Sequence, residues 1–180
     1  VTLELGGKSP AVVAPDYPIT KAVERIMWAK MLNAGQICTN VDYLMLPTDR
    51  VDSFVSEAKR VCNARYPDIN GGEYTAVIDQ RAYDRLQATL ADARSKGAKI
   101  INLFEGQQAD ASRRIMPPHL VLGVTEDMDV MQREIFGPIL PVMTYSSREE
   151  VVRYIGAHHR PLAAYFYSND KALVEWYIGN

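Results

Sequence analysis

The sequence predicts an α/β domain with a largely parallel sheet flanked by helices. Three observations lead there. Short apolar runs alternate along the chain with segments whose apolar residues recur at helical spacing, the pattern of strand–helix units. The 180 residues are 47% hydrophobic and 23% charged, the balance of an ordinary globular chain and far from disorder. No repeat, low-complexity tract or linker interrupts them, so a single domain spanning residues 1–180 is expected.

The elements follow in order. Val1–Leu5 reads as a strand, and Ala11–Ala14 is a short apolar run ended by Pro15 and Asp16. Thr20 is placed to cap a helix in which Val23, Ile26, Met27, Met31 and Ala34 share a face, closed by Gly35. Tyr43–Leu46 is a strand stopped by Pro47, and Asp49 is placed to cap a helix with Val51, Phe54, Val55, Ala58, Val61 and Cys62 inward. A loop containing Gly71 and Gly72 leads to a long helix over Asp79–Lys96 and a strand over Lys99–Leu103. Glu105–Arg114 is polar and expected on the surface. Strands are predicted at His119–Val124 and Ile139–Tyr145, then a Ser-capped helix over Ser147–His158 with Glu149 and Glu150 in its first turn. Ala163–Tyr167 and Lys171–Ile178 make the final strand–helix pair.

Composition excludes several classes of function. With 20 Lys and Arg against 22 Asp and Glu, scattered rather than banded, a nucleic-acid footprint is not expected. No apolar run approaches the roughly 18–20 residues of a membrane span. Two cysteines are too few for a disulfide framework, and with no signal-peptide pattern a reducing, cytoplasmic setting is expected. His119, His158 and His159 lack zinc-ligand spacing, so no metal site is expected. There is no G-x-G-x-x-G, and Thr2 stands where a phosphate-binding loop ending in Gly7-Lys8-Ser9 needs its first glycine.

Three stretches could carry chemistry. In Asn33–Asn40 a helix ends, Gly35 turns the chain, and Cys38 sits in the loop before a strand, where a substrate can reach the sulfur and main-chain N–H groups can face it. Read alone, Cys38 also fits a small buried hydrophobe; Cys62, mid-helix on an apolar face, fits that description better still. Glu4, in an apolar strand beside Gly6 and Gly7, suits a general base with a raised pKa, but equally a solvent-facing carboxylate paired with Lys8. Glu134 and Phe136, before Gly137-Pro138, could set a carboxylate and a ring on one side of a pocket for a ribose and a flat heterocycle; they also fit an ordinary loop with a tucked-in ring.

Together these stretches say more than each alone. Glu4–Pro10, Gly35–Cys38 about 30 residues on, and Glu134–Pro138 about 100 further resemble the aldehyde dehydrogenase superfamily in content, order and spacing. Asn40–Tyr43 and Pro161–Phe166 are similar to its class-3-like branch, which includes fatty and coniferyl aldehyde dehydrogenases, and Gln36–Pro47 looks most like the coniferyl members. The resemblance implies that Cys38 attacks the aldehyde carbon to give a thiohemiacetal and then a thioester, its own N–H contributing to the oxyanion site. It implies that Glu4 activates the water that hydrolyses the thioester, that Glu134 holds the nicotinamide-side ribose of NAD or NADP, that Phe136 contacts the nicotinamide, and that Gly6 lies on the cofactor side. A small aldehyde, aromatic and coniferaldehyde-like, is the implied substrate, and a homodimer the implied assembly of the complete protein.

Family members are far longer, which makes this chain a catalytic domain shortened at both ends, with only the last few residues of a cofactor domain. Losing an oxyanion-hole donor costs about 2.7–4 kcal/mol of transition-state stabilisation, so the isolated chain is expected to be inactive. Two other classes remain: a non-redox cysteine esterase or acyltransferase pairing Cys38 with a histidine, and a non-catalytic domain that binds a partner through an apolar face.

Overall fold

Residues 6–180 are described by the computed structural model of the protein. Six strands form: β1 (Pro10–Val13), β2 (Tyr43–Pro47), β3 (Lys99–Asn102), β4 (His119–Leu122), β5 (Ile139–Tyr145) and β6 (Tyr165–Tyr167). The helices are α1 (Ile19–Met31), α2 (Val51–Arg65), α3 (Gln80–Ser95), α4 (Asp129–Gln132), α5 (Arg148–Gly156) and α6 (Lys171–Gly179). The strands join in one sheet in the order β3-β4-β5-β2-β1-β6. Neighbours run parallel throughout except β3 and β4. That exception has a simple cause: β3 and β4 are joined by a loop with only a short 3₁₀ turn at Ala111–Arg113, and a parallel return needs a crossover. The largely parallel α/β class expected from the sequence is the fold that forms.

Helices cover both faces because strand side chains alternate. Ala11 and Val13 of β1 and Leu44 and Leu46 of β2 pack with Ile26 and Met27 of α1 and Phe54 and Cys62 of α2. Their neighbours Val12, Tyr43 and Met45 pack on the other side with Val151 of α5 and Tyr177 of α6. Leu86 and Leu90 of α3 share a further cluster with Val121 of β4 and Ile139 of β5. Each buried Val, Leu, Ile, Met or Phe side chain contributes roughly 1.5–3 kcal/mol by leaving water.

Three helix starts carry side-chain caps, of which the sequence suggests Ser147. Asp79 Oδ1 accepts from Ala82 N at 2.7 Å, Ser147 Oγ from Glu150 N at 3.2 Å, and Asp170 Oδ1 from Ala172 N at 2.9 Å. Two expected caps do not form. Pro18, whose ring fixes φ, stands at the N-cap of α1, which leaves Thr20 inside the first turn. Asp49 falls within a 3₁₀ turn, Thr48–Arg50, that runs straight into α2, and no side chain caps that helix. α1 also stops earlier than expected: Asn33 and Ala34 adopt φ of 52°, so the chain has left the helix before Gly35.

The consequence for function lies in the strand order. β5, β2 and β1 are adjacent and parallel. The segments leading into them, residues 6–9 into β1, 33–42 into β2 and 133–138 into β5, therefore gather at one edge of the sheet.

Candidate active site

The turn that carries Cys38 begins with three successive left-handed residues, Asn33, Ala34 and Gly35, the last at φ 72°. This conformation is unfavourable for Asn33 and Ala34, and local hydrogen bonds offset the cost. Asn33 Nδ2 donates to Gln36 O at 3.0 Å, Gln36 Nε2 to Asn33 O at 2.9 Å, and the buried Asn40 Nδ2 to Gly35 O at 2.6 Å. Asn40 N then donates to Ile37 O at 2.9 Å, closing a tight turn with Cys38 inside it. Cys38 is exposed, and no described residue accepts its main-chain N–H. Gln36 also braces the next wall, its Nε2 reaching Ala76 O at 3.2 Å and its Oε1 accepting from Ile78 N at 2.8 Å.

Asp42, four residues after Cys38, ties the three segments together. Its Oδ1 accepts from Ile135 N at 2.9 Å and its Oδ2 pairs with Lys8 Nζ. Lys8 Nζ donates as well to Val130 O at 2.8 Å and Arg133 O at 3.1 Å. The glycines permit the remaining contacts. A Cβ on Gly35 would lie 2.5 Å from Gly137 O and 2.7 Å from Asn40 Nδ2, so only glycine lets these loops touch. A Cβ on Gly6 would lie 2.5 Å from a carboxylate oxygen of Glu134. Phe136 holds a left-handed φ of 48° and is 40% exposed, between the buried Ile135 and Gly137.

The structure thus brings Cys38, Glu134, Phe136 and Gly6 to one edge. Glu4 lies outside the described residues. Phe136 is not tucked into the core, and Cys38 is not a buried hydrophobe; Cys62 is, and burial pushes its thiol up to about 12. Two histidines already have partners, and His158 also lines the cleft that Glu134 borders. His119 Nδ1 meets Pro117 O at 2.7 Å, and burial lowers its pKa to about 4. His158, past the end of α5, has Nδ1 at 2.7 Å from Tyr154 O and Nε2 at 3.1 Å from Glu126 Oε2, contacts that raise its pKa.

Sequence reasoning named Lys8 only as a partner for Glu4 and Asp42 only within the Asn40–Tyr43 stretch, and it gave Lys30, two helical turns before Cys38, no role in this site. Lys8 and Asp42 carry no local signal, because their pairing spans 34 residues. Lys30 does carry one: it falls on the same helical stripe as Val23, Ile26, Met27 and Met31, and it is 0% exposed. Its Nζ donates to Val41 O at 2.7 Å. Burial lowers its pKa to about 7, with the Asp42 carboxylate working against that shift and Lys8 adding to it. On the Glu134 side, a cleft of about 580 Å³ opens between Lys8, Glu134, Tyr43, Tyr154, His158 and Arg160.

An exposed thiol on a strained turn, beside a carboxylate and an exposed ring, is a site where a carbonyl carbon and a flat heterocycle can meet. The sequence profile of the aldehyde dehydrogenase family matches residues 1–179. The chain belongs to the aldehyde dehydrogenase family. Among relatives, this aldehyde dehydrogenase chain is 48% identical over 174 residues to a "Probable coniferyl aldehyde dehydrogenase" of Pseudomonas aeruginosa, covering 96% of this chain and 36% of that one. It is 40% identical over 173 residues to the coniferyl aldehyde dehydrogenase of a Pseudomonas species, covering 94% and 36%. The solved substrate-bound structure of Staphylococcus aureus AldH superposes with a TM-score of 0.89 at 32% identity, covering 98% of this chain and 38% of that one. The chain therefore spans little more than a third of the length of the relatives it matches. Among the described residues, no helix is long and apolar enough to cross a membrane.

The residues present fit the nicotinamide half of a dinucleotide. The Glu134 carboxylate packs against Gly6, where a Cβ would meet one of its oxygens at 2.5 Å; a carboxylate suits ribose hydroxyls, and the exposed Phe136 suits a flat heterocycle.

Proposed function

We propose that this chain is the catalytic domain of an NAD(P)-dependent dehydrogenase that oxidises an aldehyde, aromatic and coniferaldehyde-like, to its carboxylic acid. The observation that carries the reading is Cys38 exposed on its turn, with its N–H unclaimed by any described residue, at the edge where Glu134, Phe136 and Gly6 also meet. The aromatic substrate rests on the relatives named coniferyl aldehyde dehydrogenase.

In this reading the Cys38 sulfur, having lost its proton, bonds to the aldehyde carbon, and the carbonyl oxygen becomes an oxyanion facing the Cys38 N–H. Glu134 holds the ribose and Phe136 contacts the nicotinamide, which when bound supplies the acceptor for the hydride leaving that carbon. What remains on Cys38 is a thioester. Glu4 takes a proton from water, the hydroxyl adds to the thioester carbon, the C–S bond breaks, and the acid departs with Cys38 restored. The positive-φ turn and the Gly35–Gly137 contact fix the backbone that leads to Cys38, which supports a nucleophile that reorganises little at the moment of attack.

The complete protein is a homodimer in this reading, and the 180-residue chain alone is inactive because it spans 36% of its relatives' length. The test is formation of reduced nicotinamide with coniferaldehyde, using the full-length protein, its Cys38→Ala variant and the isolated chain. Only the first should turn over. Turnover by Cys38→Ala would overturn the reading. Aldehyde-independent ester hydrolysis with no reduced nicotinamide would replace it with a non-redox thiol enzyme.

A further inference from the structure

One buried ionisable group near the site has no part in the chemistry above. Lys30 closes the last turn of α1 and is fully buried, its aliphatic stem aligned with Ile26, Met27 and Met31. An ammonium carries three donors, and among the described residues only Val41 O, at 2.7 Å, accepts from it. Asp42 is the adjacent carboxylate, yet both its oxygens are occupied, Oδ1 by Ile135 N–H and Oδ2 by Lys8 Nζ. Lys30 is therefore a cation inside the protein without a dedicated counter-ion. Such a group is costly, and a methionine would fill the same space. The location explains its use. Val41 directly follows the closed Ile37–Asn40 turn. It stands three positions after Cys38, so the chain cannot carry the two Cα atoms more than about 11 Å apart.

We propose that Lys30 is a positioning residue for Cys38: from the end of α1 its ammonium anchors the Val41 carbonyl and sets a positive charge behind the nucleophile turn. The proposal rests on the reading of Cys38 as the nucleophile, and it adds the residue that couples the preceding helix to that turn. Burial brings the group to about 7, with Asp42 favouring the charged form and Lys8 opposing it. Burial works against the charge behind Cys38, which therefore weakens as pH rises.

The test uses Cys38 labelling in the full-length protein and needs no turnover. Anionic iodoacetate and neutral iodoacetamide are compared from about pH 6 to about pH 9, scoring the Cys38 peptide by mass spectrometry. A positive charge about 10 Å away favours the anionic reagent by about threefold at an effective dielectric between protein and water. In the wild type the iodoacetate-to-iodoacetamide rate ratio should fall about threefold as pH rises through 7. Lys30→Met should hold it low and flat, and Lys30→Arg high and flat. A wild-type ratio no higher at any pH than that of a free cysteine peptide overturns the proposal on its own, even if neither variant folds. A Lys30→Met profile matching the wild type overturns it too. Failure of aldehyde oxidation with the predicted labelling pattern would remove the dehydrogenase reading and leave the Lys30–Cys38 coupling intact.

Discussion

Ile135 donates its main-chain N–H to Asp42 Oδ1 at 2.9 Å across 93 residues of sequence. This bond, with the Lys8 pair on the other oxygen, fixes the segment after Cys38 against the loop that carries Glu134 and Phe136. Asp42 is buried, so removing it takes the counter-ion from Lys8, which keeps two carbonyl acceptors, and leaves the Ile135 N–H without its partner.

Asp42→Ala should cost about 3 kcal/mol, the scale of a broken buried pair. Asp42→Asn should cost less, because an amide oxygen still accepts from Ile135. Urea denaturation of the three proteins checks the order, and equal midpoints for both variants would count against the Ile135 bond.

Gly35→Ala tests the close approach of the two loops. A methyl there meets Gly137 O at 2.5 Å and must adopt a φ of 72°. Gly123 has nearly the same φ, 71°, and nothing lies within 4 Å of where its methyl would sit, so Gly123→Ala isolates the backbone cost of about 1 kcal/mol. Thermal melts should show Gly35→Ala destabilised by at least about 2 kcal/mol, with Cys38 labelling altered in that variant alone.

The two cysteines should separate cleanly. Cys38 is exposed, whereas Cys62 is buried in α2 with its thiol pushed up to about 12. Alkylation at neutral pH should modify Cys38 in the native protein and both thiols in denaturant. Native labelling of Cys62 would show that the α1–α2 core opens.

His119 gives a pH dependence with a definite sign. Its folded pKa is about 4 against an ordinary 6.5. Between those values the unfolded chain binds the proton and the folded one does not, so stability falls as pH drops through that window. His119→Gln should lose less stability than the wild type over the same acidification, measured as the difference between two urea series.

Much of this was legible in the sequence. Ile139–Tyr145 reads as a strand and forms β5 with those bounds, and the side chain of Ser147 caps its helix where local spacing puts it. These features depend on neighbours within a turn or two. The order β5-β2-β1 does not, because apolar periodicity is the same whichever strand lies alongside. Thr20 and Asp49 fail as caps for a local reason: Pro18 takes the N-cap of α1, and a 3₁₀ turn absorbs Asp49. Lys8 pairs with Asp42, a contact that exists only once the strands are side by side; Glu4, the partner the sequence offers for it, lies outside the described residues.

The most direct test is to trap the acyl group. Full-length Glu4→Gln protein is mixed with NAD and coniferaldehyde, quenched in acid, and its peptides weighed. A thioester adduct is predicted on the Cys38 peptide, absent from a Glu4→Gln, Cys38→Ala double variant. An adduct on any other residue, or rapid turnover by Glu4→Gln with Cys38 unmodified, would contradict the assignment of Cys38 as nucleophile and Glu4 as base.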